Sequence, residues 1–127
     1  MPDNDIPQNA AEASIRVLIV DDSSEAREYI ALLLSYEEDI QVVGFASDGA
    51  EAIERAKELS PHVTLIGIDL PHMEGLVATQ RLSLEAPLVK VIIIGQPDPD
   101  QMRRALDAGA LDFVAKPIDP DELIAAI

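Results

Sequence analysis

Short apolar runs, many of them β-branched, alternate with segments of helical periodicity along almost the whole chain. Several runs are nearly continuous in apolar residues, as expected for strands that are buried on both faces of a parallel sheet. The order β-α-β-α-β-α-β-α-β-α with right-handed crossovers predicts a doubly wound, three-layer α/β/α sandwich. We expect the flavodoxin-like strand order 2-1-3-4-5. The predicted strands are Ile15–Val20, Gln41–Ala46, Val63–Ile68, Lys90–Ile94 and Asp112–Ala115.

The helical segments carry start and stop signals. Asp48 begins a capping-box pattern, and Asp98 and Asp119 are each followed by a proline, which is tolerated at the first helical position. Pro61 and Gly109 are typical of residues that follow a helix end. The first helix is predicted over roughly Ser24–Ser35.

Composition limits the class of protein. At 127 residues and 48% hydrophobic, the chain can form one globular domain with its own core. Its formal charge of −15 argues against nucleic acid or an anionic membrane as a direct partner and favours a basic protein surface. The lack of cysteine fits a cytoplasmic location, and no apolar run reaches the ~18–20 residues of a membrane span. Residues 1–14 are interpreted as a flexible leader before a domain over residues 15–127.

Four motifs mark the ends of predicted elements. They are Val20-Asp21-Asp22 after the first strand, Pro71-x-x-x-Gly75 after the third, Ala108-Gly109-Ala110 after the fourth helix and Lys116-Pro117 after the fifth strand. Each is weak alone. Together, in this order and from Ile15 onward, they resemble a response-regulator receiver domain.

The resemblance implies roles for these positions. In an intact receiver, an aspartate after the third strand attacks a phosphoryl group, and nearby groups neutralise the charge on its oxygens. Asp21 and Asp22, with the carbonyl of Asp69, would hold Mg²⁺, and Lys116 would pair with the acceptor and the phosphate. A serine or threonine after the fourth strand would bind the phosphoryl group, and an aromatic residue in the fifth strand, here Phe113, would move with it.

The chain departs from this pattern at two positions. The acceptor lies four residues before Pro71 and eight before Gly75, and both counts lead to Gly67, which has no carboxylate. The hydroxyl position is Gly95 when counted from the third strand and Ile94 when counted back from the lysine after the fifth. We therefore predict a pseudo-receiver that requires no cofactor. One carboxylate is missing, so Mg²⁺ binding is expected to be weak.

Plainer structural roles compete with these assignments. Asp21 and Asp22 can cap the first helix at its positive end, and Lys116 can simply pair with one of them. Gly67 can leave room for a neighbour such as Met73 or for a water. Two further residues, interpreted as ordinary surface residues in loops, are His62 and His72.

Three functional hypotheses arise. The preferred one is a protein-interaction or localisation module of two-component-type signalling that no longer responds to phosphorylation. The alternative is a working receiver phosphorylated at Asp69, whose carboxylate would lie roughly 6–7 Å along the chain from the acceptor position, so that the loop would have to rearrange. An enzyme using Asp21 and Asp22 with Mg²⁺ ranks last, because the chain lacks a glycine-rich phosphate cradle and a catalytic base. We predict that the domain is not an enzyme.

Two stretches suggest a finer resemblance. Leu32–Val43 and Gln96–Leu106 resemble the amino-terminal receiver-like domains of Flp-type pilus assembly ATPases of the TadZ/CpaE type. This implies a role in pilus assembly and a fused carboxy-terminal ATPase domain, with a different output domain as the rival. The segment of the last predicted helix, Asp119–Ile127, has nine residues, fewer than the ~11–12 of an average helix. We expect it to continue in a longer parent protein.

The receiver resemblance also implies a partner surface. Receivers commonly pair through the fourth helix, fifth strand and fifth helix, and we expect a homodimer or another protein partner there. A two-fold axis would pair basic with acidic residues reciprocally. The predicted interface residues are Arg103, Arg104, Asp107, Asp112, Asp121 and Glu122.

Overall fold

The five strands form one parallel sheet in the order β2-β1-β3-β4-β5. The structure, a computed structural model, describes residues 14–70 and 74–127. The predicted fold class and strand order are confirmed, and each predicted strand end is correct to within one residue. The strands are β1 Ile15–Val20, β2 Ile40–Ala46, β3 Val63–Gly67, β4 Lys90–Gly95 and β5 Asp112–Ala115.

Three of the helices begin where the capping signals predict. Asp48, Asp98 and Asp119 are N-caps whose side chains accept a hydrogen bond from the first turn. Gly109 ends the fourth helix with φ of 112°, a conformation that favours glycine. Ser60 is the C-cap of the second helix and directly precedes the predicted stop at Pro61. The helices are α1 Ser24–Leu34, α2 Gly49–Leu59, α3 Gly75–Glu85, α4 Pro99–Ala108 and α5 Pro120–Ala126.

The sheet separates two hydrophobic clusters. On one face, Ile19 packs with residues of α1 and α5, which include Ile30 and Leu123. On the other face, Leu18 packs with residues of α2, α3 and α4, which include Leu82. Because both faces of the central strands are covered, most successive side chains are apolar, with the buried Thr64 of β3 as an exception, and each buried large apolar side chain contributes about 1.5–3 kcal/mol.

Some predictions concern residues outside the described part of the chain. They are the leader, of which only Ser14 is described, and the roles of Pro71, His72 and Met73. Within residues 14–70 and 74–127, every helix is too short or too polar to cross a membrane.

Candidate functional site

A cavity of about 150 Å³ lies at the carboxyl edge of the sheet, where β1, β3, β4 and β5 end. A larger groove of about 510 Å³ lies at the opposite edge, beside Pro61 and Leu88, and contains none of the predicted site residues. The carboxyl-edge cavity brings together nearly all of the residues that the strand ends predicted. It is lined by Asp21, Asp22, Gly67, Ile68, Asp69, Gly95, Gln96 and Lys116.

The space beside Gly67 is filled by the carboxylate of Asp21. A Cβ at position 67 would lie 2.7 Å from Asp21 Oδ2, a contact that real Cβ atoms essentially never make. Asp21 follows β1, the neighbour of β3 in the sheet, and is only 8% exposed. Among the described residues, Asp21 is the neighbour that lies closest to the room at Gly67, and an acceptor side chain there would need the Asp21 side chain to move.

Hydrogen bonds and nearby charges hold Asp21 in this position. Its Oδ1 accepts from the Ser23 N–H at 2.9 Å, and its carbonyl accepts from Arg27 Nη1 at 2.7 Å. Burial raises the pKa of the Asp21 carboxyl above its ordinary value, and a side-chain hydrogen bond with Asp22 raises it further. The bond from Ser23 and the charge of Lys116 lower this pKa, but burial outweighs them.

The capping role predicted for Asp21 and Asp22 is wrong. The N-cap of α1 is Ser23, whose Oγ accepts from the Ala26 N–H at 3.2 Å. Ser23 directly precedes the first helical residue, whereas Asp21 lies too early and supports the cap residue instead. The predicted direct pairing of Lys116 with these acids is also absent, since these three described residues form no ion pair with one another. Lys116 affects Asp21 through the attraction of its positive charge, which lowers the pKa of the Asp21 carboxyl.

The structure decides between the two candidates for the hydroxyl position. Ile94 is 2% exposed and packs on the α1 and α5 side of the sheet, whereas Gly95 lines the cavity. A Cβ at Gly95 would lie 3.1 Å from Gln101 Oε1 and 3.1 Å from Phe113 Cζ. A side chain at position 95 would thus need the ends of Gln101 and the partly buried Phe113 to give way slightly.

Gln101 was missed by the sequence analysis. Its buried Oε1 has no hydrogen-bond partner among the described residues. The N-cap at Asp98 places the first turn of α4 beside the end of β4, and this spacing could have indicated Gln101. The amide adds a polar acceptor next to the cavity but no hydroxyl.

The cavity fits a tight Mg²⁺ site poorly. Within the described chain, no three His, Cys, Asp or Glu side chains converge on one point. Asp22 and Asp69 are exposed, and one oxygen of Asp21 is already engaged by Ser23. Weak Mg²⁺ binding through Asp21, Asp22 and Asp69 stays a prediction.

The loop that follows β3 is anchored by Gly75. Its N–H donates to the carbonyl of Ile68 at 3.0 Å, and a Cβ at position 75 would lie 2.5 Å from the carbonyl oxygen of Gly67. Thr79 Oγ1 donates to the Gly75 carbonyl at 2.7 Å. Only glycine allows this approach of α3 to the end of β3.

The lysine–proline motif closes the other side of the cavity. The Lys116 N–H donates to the carbonyl of Gly95 at 2.8 Å, which fixes the end of β5 against the end of β4. The Lys116–Pro117 peptide bond is cis, and both residues are exposed.

His62 is exposed, as predicted, but it also has a structural role. Its Nδ1 accepts from the Arg16 N–H at 2.9 Å, and its own N–H donates to the Arg16 carbonyl at 2.9 Å. The Arg16 guanidinium donates to the carbonyls of Ser60, at 2.8 Å, and Leu59. This pair of residues ties β1 to the end of α2.

Four of the predicted interface residues line two grooves. Arg104 and Asp107 line a groove between α3 and α4. Asp112 and Glu122 line a separate groove of about 400 Å³ beside β5. Arg103 and Arg104 lie 2.7 and 3.9 Å from Asp100 in the same helix. The interface through α4, β5 and α5 stays a prediction.

A parallel five-stranded sheet with an acidic pair and a lysine at its carboxyl edge defines the architecture of a signalling receiver. The chain matches the family model described as response regulator receiver domain over residues 17–127, and it belongs to this family.

The relatives and solved structures agree with this assignment. The chain is 41% identical over 107 residues to protein-glutamate methylesterase/protein-glutamine glutaminase 2 of Carboxydothermus hydrogenoformans, covering 83% of this chain and 30% of the relative. It is 44% identical over 105 residues to the corresponding protein of Caldanaerobacter subterraneus, covering 81% and 29%. The response regulator domain of Thermotoga maritima CheB has a TM-score of 0.82 and 35% identity, covering 88% of this chain and 92% of that one. The chain thus spans about 30% of the length of these curated relatives.

Proposed function

We propose that this domain is a receiver that does not accept a phosphoryl group and acts in two-component-type signalling as a phosphorylation-independent protein-interaction module. The observation that carries the proposal is the contact between Gly67 and Asp21. The acceptor position has no side chain, and the carboxylate of Asp21 fills its space. Gly95 supplies no hydroxyl to read a phosphoryl group, so a phosphodonor has no differential interaction with two states of the domain.

One feature favours a second candidate, phosphorylation at Asp69. This residue is exposed and lines the same cavity as Asp22 and Lys116. Its position, roughly 6–7 Å along the chain from Gly67, argues against it, since reacting atoms must approach to within ~3–3.5 Å.

Treatment with acetyl phosphate or beryllofluoride in the presence of Mg²⁺ tests both candidates. We expect no phosphoryl adduct by intact mass and no change in the amide NMR spectrum, while a receiver with an intact acceptor responds in parallel. An adduct that disappears in Asp69→Asn would replace the proposal with the second candidate. An adduct that persists in Asp69→Asn would contradict both and would place the acceptor on another carboxylate.

The parent protein is a further part of the proposal. The relatives described above carry the name of methylesterase and glutaminase, and this chain matches less than a third of their length. We propose that the receiver is not itself an enzyme and is joined to an output domain, for which the relatives favour the methylesterase class. The fused ATPase, the pilus role and the cytoplasmic location stay predictions from the sequence. The coding sequence after Ile127 tests the fused ATPase and the pilus role, because an ATPase P-loop there would favour the pilus-type parent.

A homodimer through α4, β5 and α5 is also proposed. It is supported by the groove beside β5, where Met102 is 40% exposed, and by acids next to it. Because Arg103 and Arg104 are held near Asp100, ion pairs across a two-fold axis would compete with bonds inside α4.

A further inference from the structure

The groove at the amino edge of the sheet lies between the end of α2 and the turn that precedes β4. Its volume of about 510 Å³ falls within the roughly 300–1,000 Å³ of pockets that hold small ligands. We call it the amino-edge groove, and much of its wall is formed by Ala56, Pro61, Pro87, Leu88 and Val89. Leu88 is 93% exposed, so the fold leaves apolar surface here that a ligand could cover.

The charged groups beside the amino-edge groove are mostly cationic. Lys57 Nζ lies 2.5 Å from Glu85 Oε1, and Arg81 Nη2 lies 2.8 Å from Glu85 Oε2. Hydrogen bonds from Lys57 and Arg81 lower the pKa of Glu85, which is therefore ionised at neutral pH. The Arg16 guanidinium donates to the carbonyl of Ser60, another residue of the groove wall. Three cations thus adjoin one carboxylate, on a chain whose net charge is −15.

Lys57 can pair with a ligand without leaving Glu85 unpaired. The two cationic partners of Glu85 lie on different oxygens, and Arg81, one turn earlier in α3, engages Oε2 independently of Lys57. The Lys57 side chain is 52% exposed, and its flexible stem lets the ammonium turn toward a neighbouring anion. The groove therefore offers a cation that can be shared.

His62 adds a neutral donor to the same wall. Its Nδ1 accepts from the Arg16 N–H at 2.9 Å, so the proton of the neutral ring lies on Nε2. Within the described part of the chain, no group accepts from this Nε2–H. His62 and Lys57 both line the groove, and together they supply one neutral and one charged donor of the kind that a carboxylate accepts from.

We propose that the amino-edge groove binds a small amphiphilic monocarboxylate. The apolar body of the ligand would cover Leu88 and the two prolines, and its carboxylate would accept from Lys57 Nζ and His62 Nε2. A polyanion fits less well because Glu85 remains ionised beside the groove, and a cationic ligand would meet three like charges. The groove and Asp21 lie at opposite edges of the sheet, so the proposal holds whether or not the domain accepts a phosphoryl group.

Octanoate is the probe, and octylammonium and 1-octanol are its matched controls, since all three share one alkyl chain. In titrations of the whole chain at pH 8 without Mg²⁺ or phosphodonor, octanoate should shift the amide NMR signals of residues 56–62 and 85–89. The shifts should saturate with a Kd of about 1 mM or less, as expected for a ligand of this size. Octanol should bind about threefold to fivefold more weakly because it lacks the charge, and octylammonium should bind more weakly still.

Two pairs of matched variants locate the site. Lys57→Gln should weaken octanoate binding about fivefold, to the level of octanol, whereas Arg55→Gln should change Kd by less than ~2-fold. Arg55→Gln removes the same charge from α2, at a pair with Glu58 outside the groove. Leu88→Ser should weaken binding about threefold by removing apolar wall. Leu84→Ser, at a leucine that is 78% exposed outside the groove, should leave binding unchanged. Circular dichroism and the urea midpoint confirm that all four variants fold.

Four results would overturn the proposal. The first is the absence of saturable shifts with octanoate, and the second is equal binding of octanoate and octylammonium. The third is an equal loss of binding in Lys57→Gln and Arg55→Gln, which would indicate general attraction to positive charge. The fourth is concentration-dependent shifts of residues 56–62 without any probe, which would make the amino-edge groove an interface between copies of this chain.

Discussion

At the scale of single residues, the cavity differs from the receiver pattern in its packing as well as in its residue types. Position 67 is a glycine, and the carboxylate of the neighbouring Asp21 lies where its side chain would be. Position 95 is also a glycine, and atoms of Gln101 and Phe113 lie 3.1 Å from where its Cβ would be. Each glycine thus has neighbours close to the space of a side chain, and a sequence motif does not reveal these contacts.

The buried carboxyl of Asp21 predicts a pH effect on stability. Burial raises its folded-state pKa above the ~3.9 of an unfolded chain. The folded state therefore binds the proton more tightly, and the stability gained from protonation is lost as the pH rises through the folded pKa. Asp21→Asn cannot ionise, so we expect it to unfold at higher urea than the parent protein at pH 7 and to lose this advantage near pH 4.

Urea unfolding between pH 4 and 8 with EDTA present measures this difference. Asp69→Asn is the control, because the loss of an exposed carboxylate should change the free energy of unfolding by no more than about 0.5 kcal/mol. A lower stability of Asp21→Asn at pH 7 would show that the hydrogen bond from Ser23 outweighs burial.

At the scale of elements, Arg16 joins three of them. The carbonyls of Leu59 and Ser60 at the end of α2 accept from its guanidinium, and its backbone pairs with His62 before β3. The last carbonyls of a helix have no partner within the helix, and a cation there also interacts favourably with the dipole.

Removing this guanidinium should destabilise the domain. We expect Arg16→Ala to lower the free energy of unfolding by about 1.5–3 kcal/mol, the range for hydrogen bonds to a charged group. Arg16→Lys should recover part of this, since an ammonium can reach only some of the same oxygens. Arg55→Ala is the control, because the exposed pair of Arg55 with Glu58 should be worth less than ~1 kcal/mol. Equal effects of Arg16→Ala and Arg55→Ala in urea unfolding would rule out the capping role.

Local sequence signals predicted the bounds of most strands and helices. They could not predict contacts between residues on different strands of the sheet. The apolar runs and the aspartate caps placed the strands to within one residue and the starts of α2, α4 and α5. The same reasoning assigned the α1 cap to Asp21 or Asp22, although Ser23 holds it. The site residues were found because parallel strands end at one edge. The position of Asp21 in the space beside Gly67 depends on the register of β1 against β3 and on burial, which no single stretch of sequence contains.

At the scale of the whole molecule, charge governs association. The chain carries a net charge of −15, so a homodimer through α4, β5 and α5 must offset repulsion with apolar contacts and a few ion pairs. Rim ion pairs contribute only ~0–1 kcal/mol. Sedimentation should therefore show a weak dimer that salt strengthens, because salt screens the net repulsion.

Charge reversal tests this face. Arg104→Glu should weaken the dimer by about fivefold, equivalent to about 1 kcal/mol. Arg81→Glu makes the same change on α3, where Arg81 pairs with Glu85, and should have a smaller effect. A monomer at high concentration, unchanged by the reversal, would eliminate this dimer.

The contact between Asp21 and Gly67 also bears on how this domain can be engineered. An aspartate at position 67 would place a Cβ 2.7 Å from Asp21 Oδ2 and add a further acid to the cavity, so the Asp21 side chain would have to shift. A side chain at position 95 would meet the ends of Gln101 and Phe113. Installing a phosphorylation switch is therefore a problem of packing as well as of chemistry, because each new side chain has to displace the end of a neighbour.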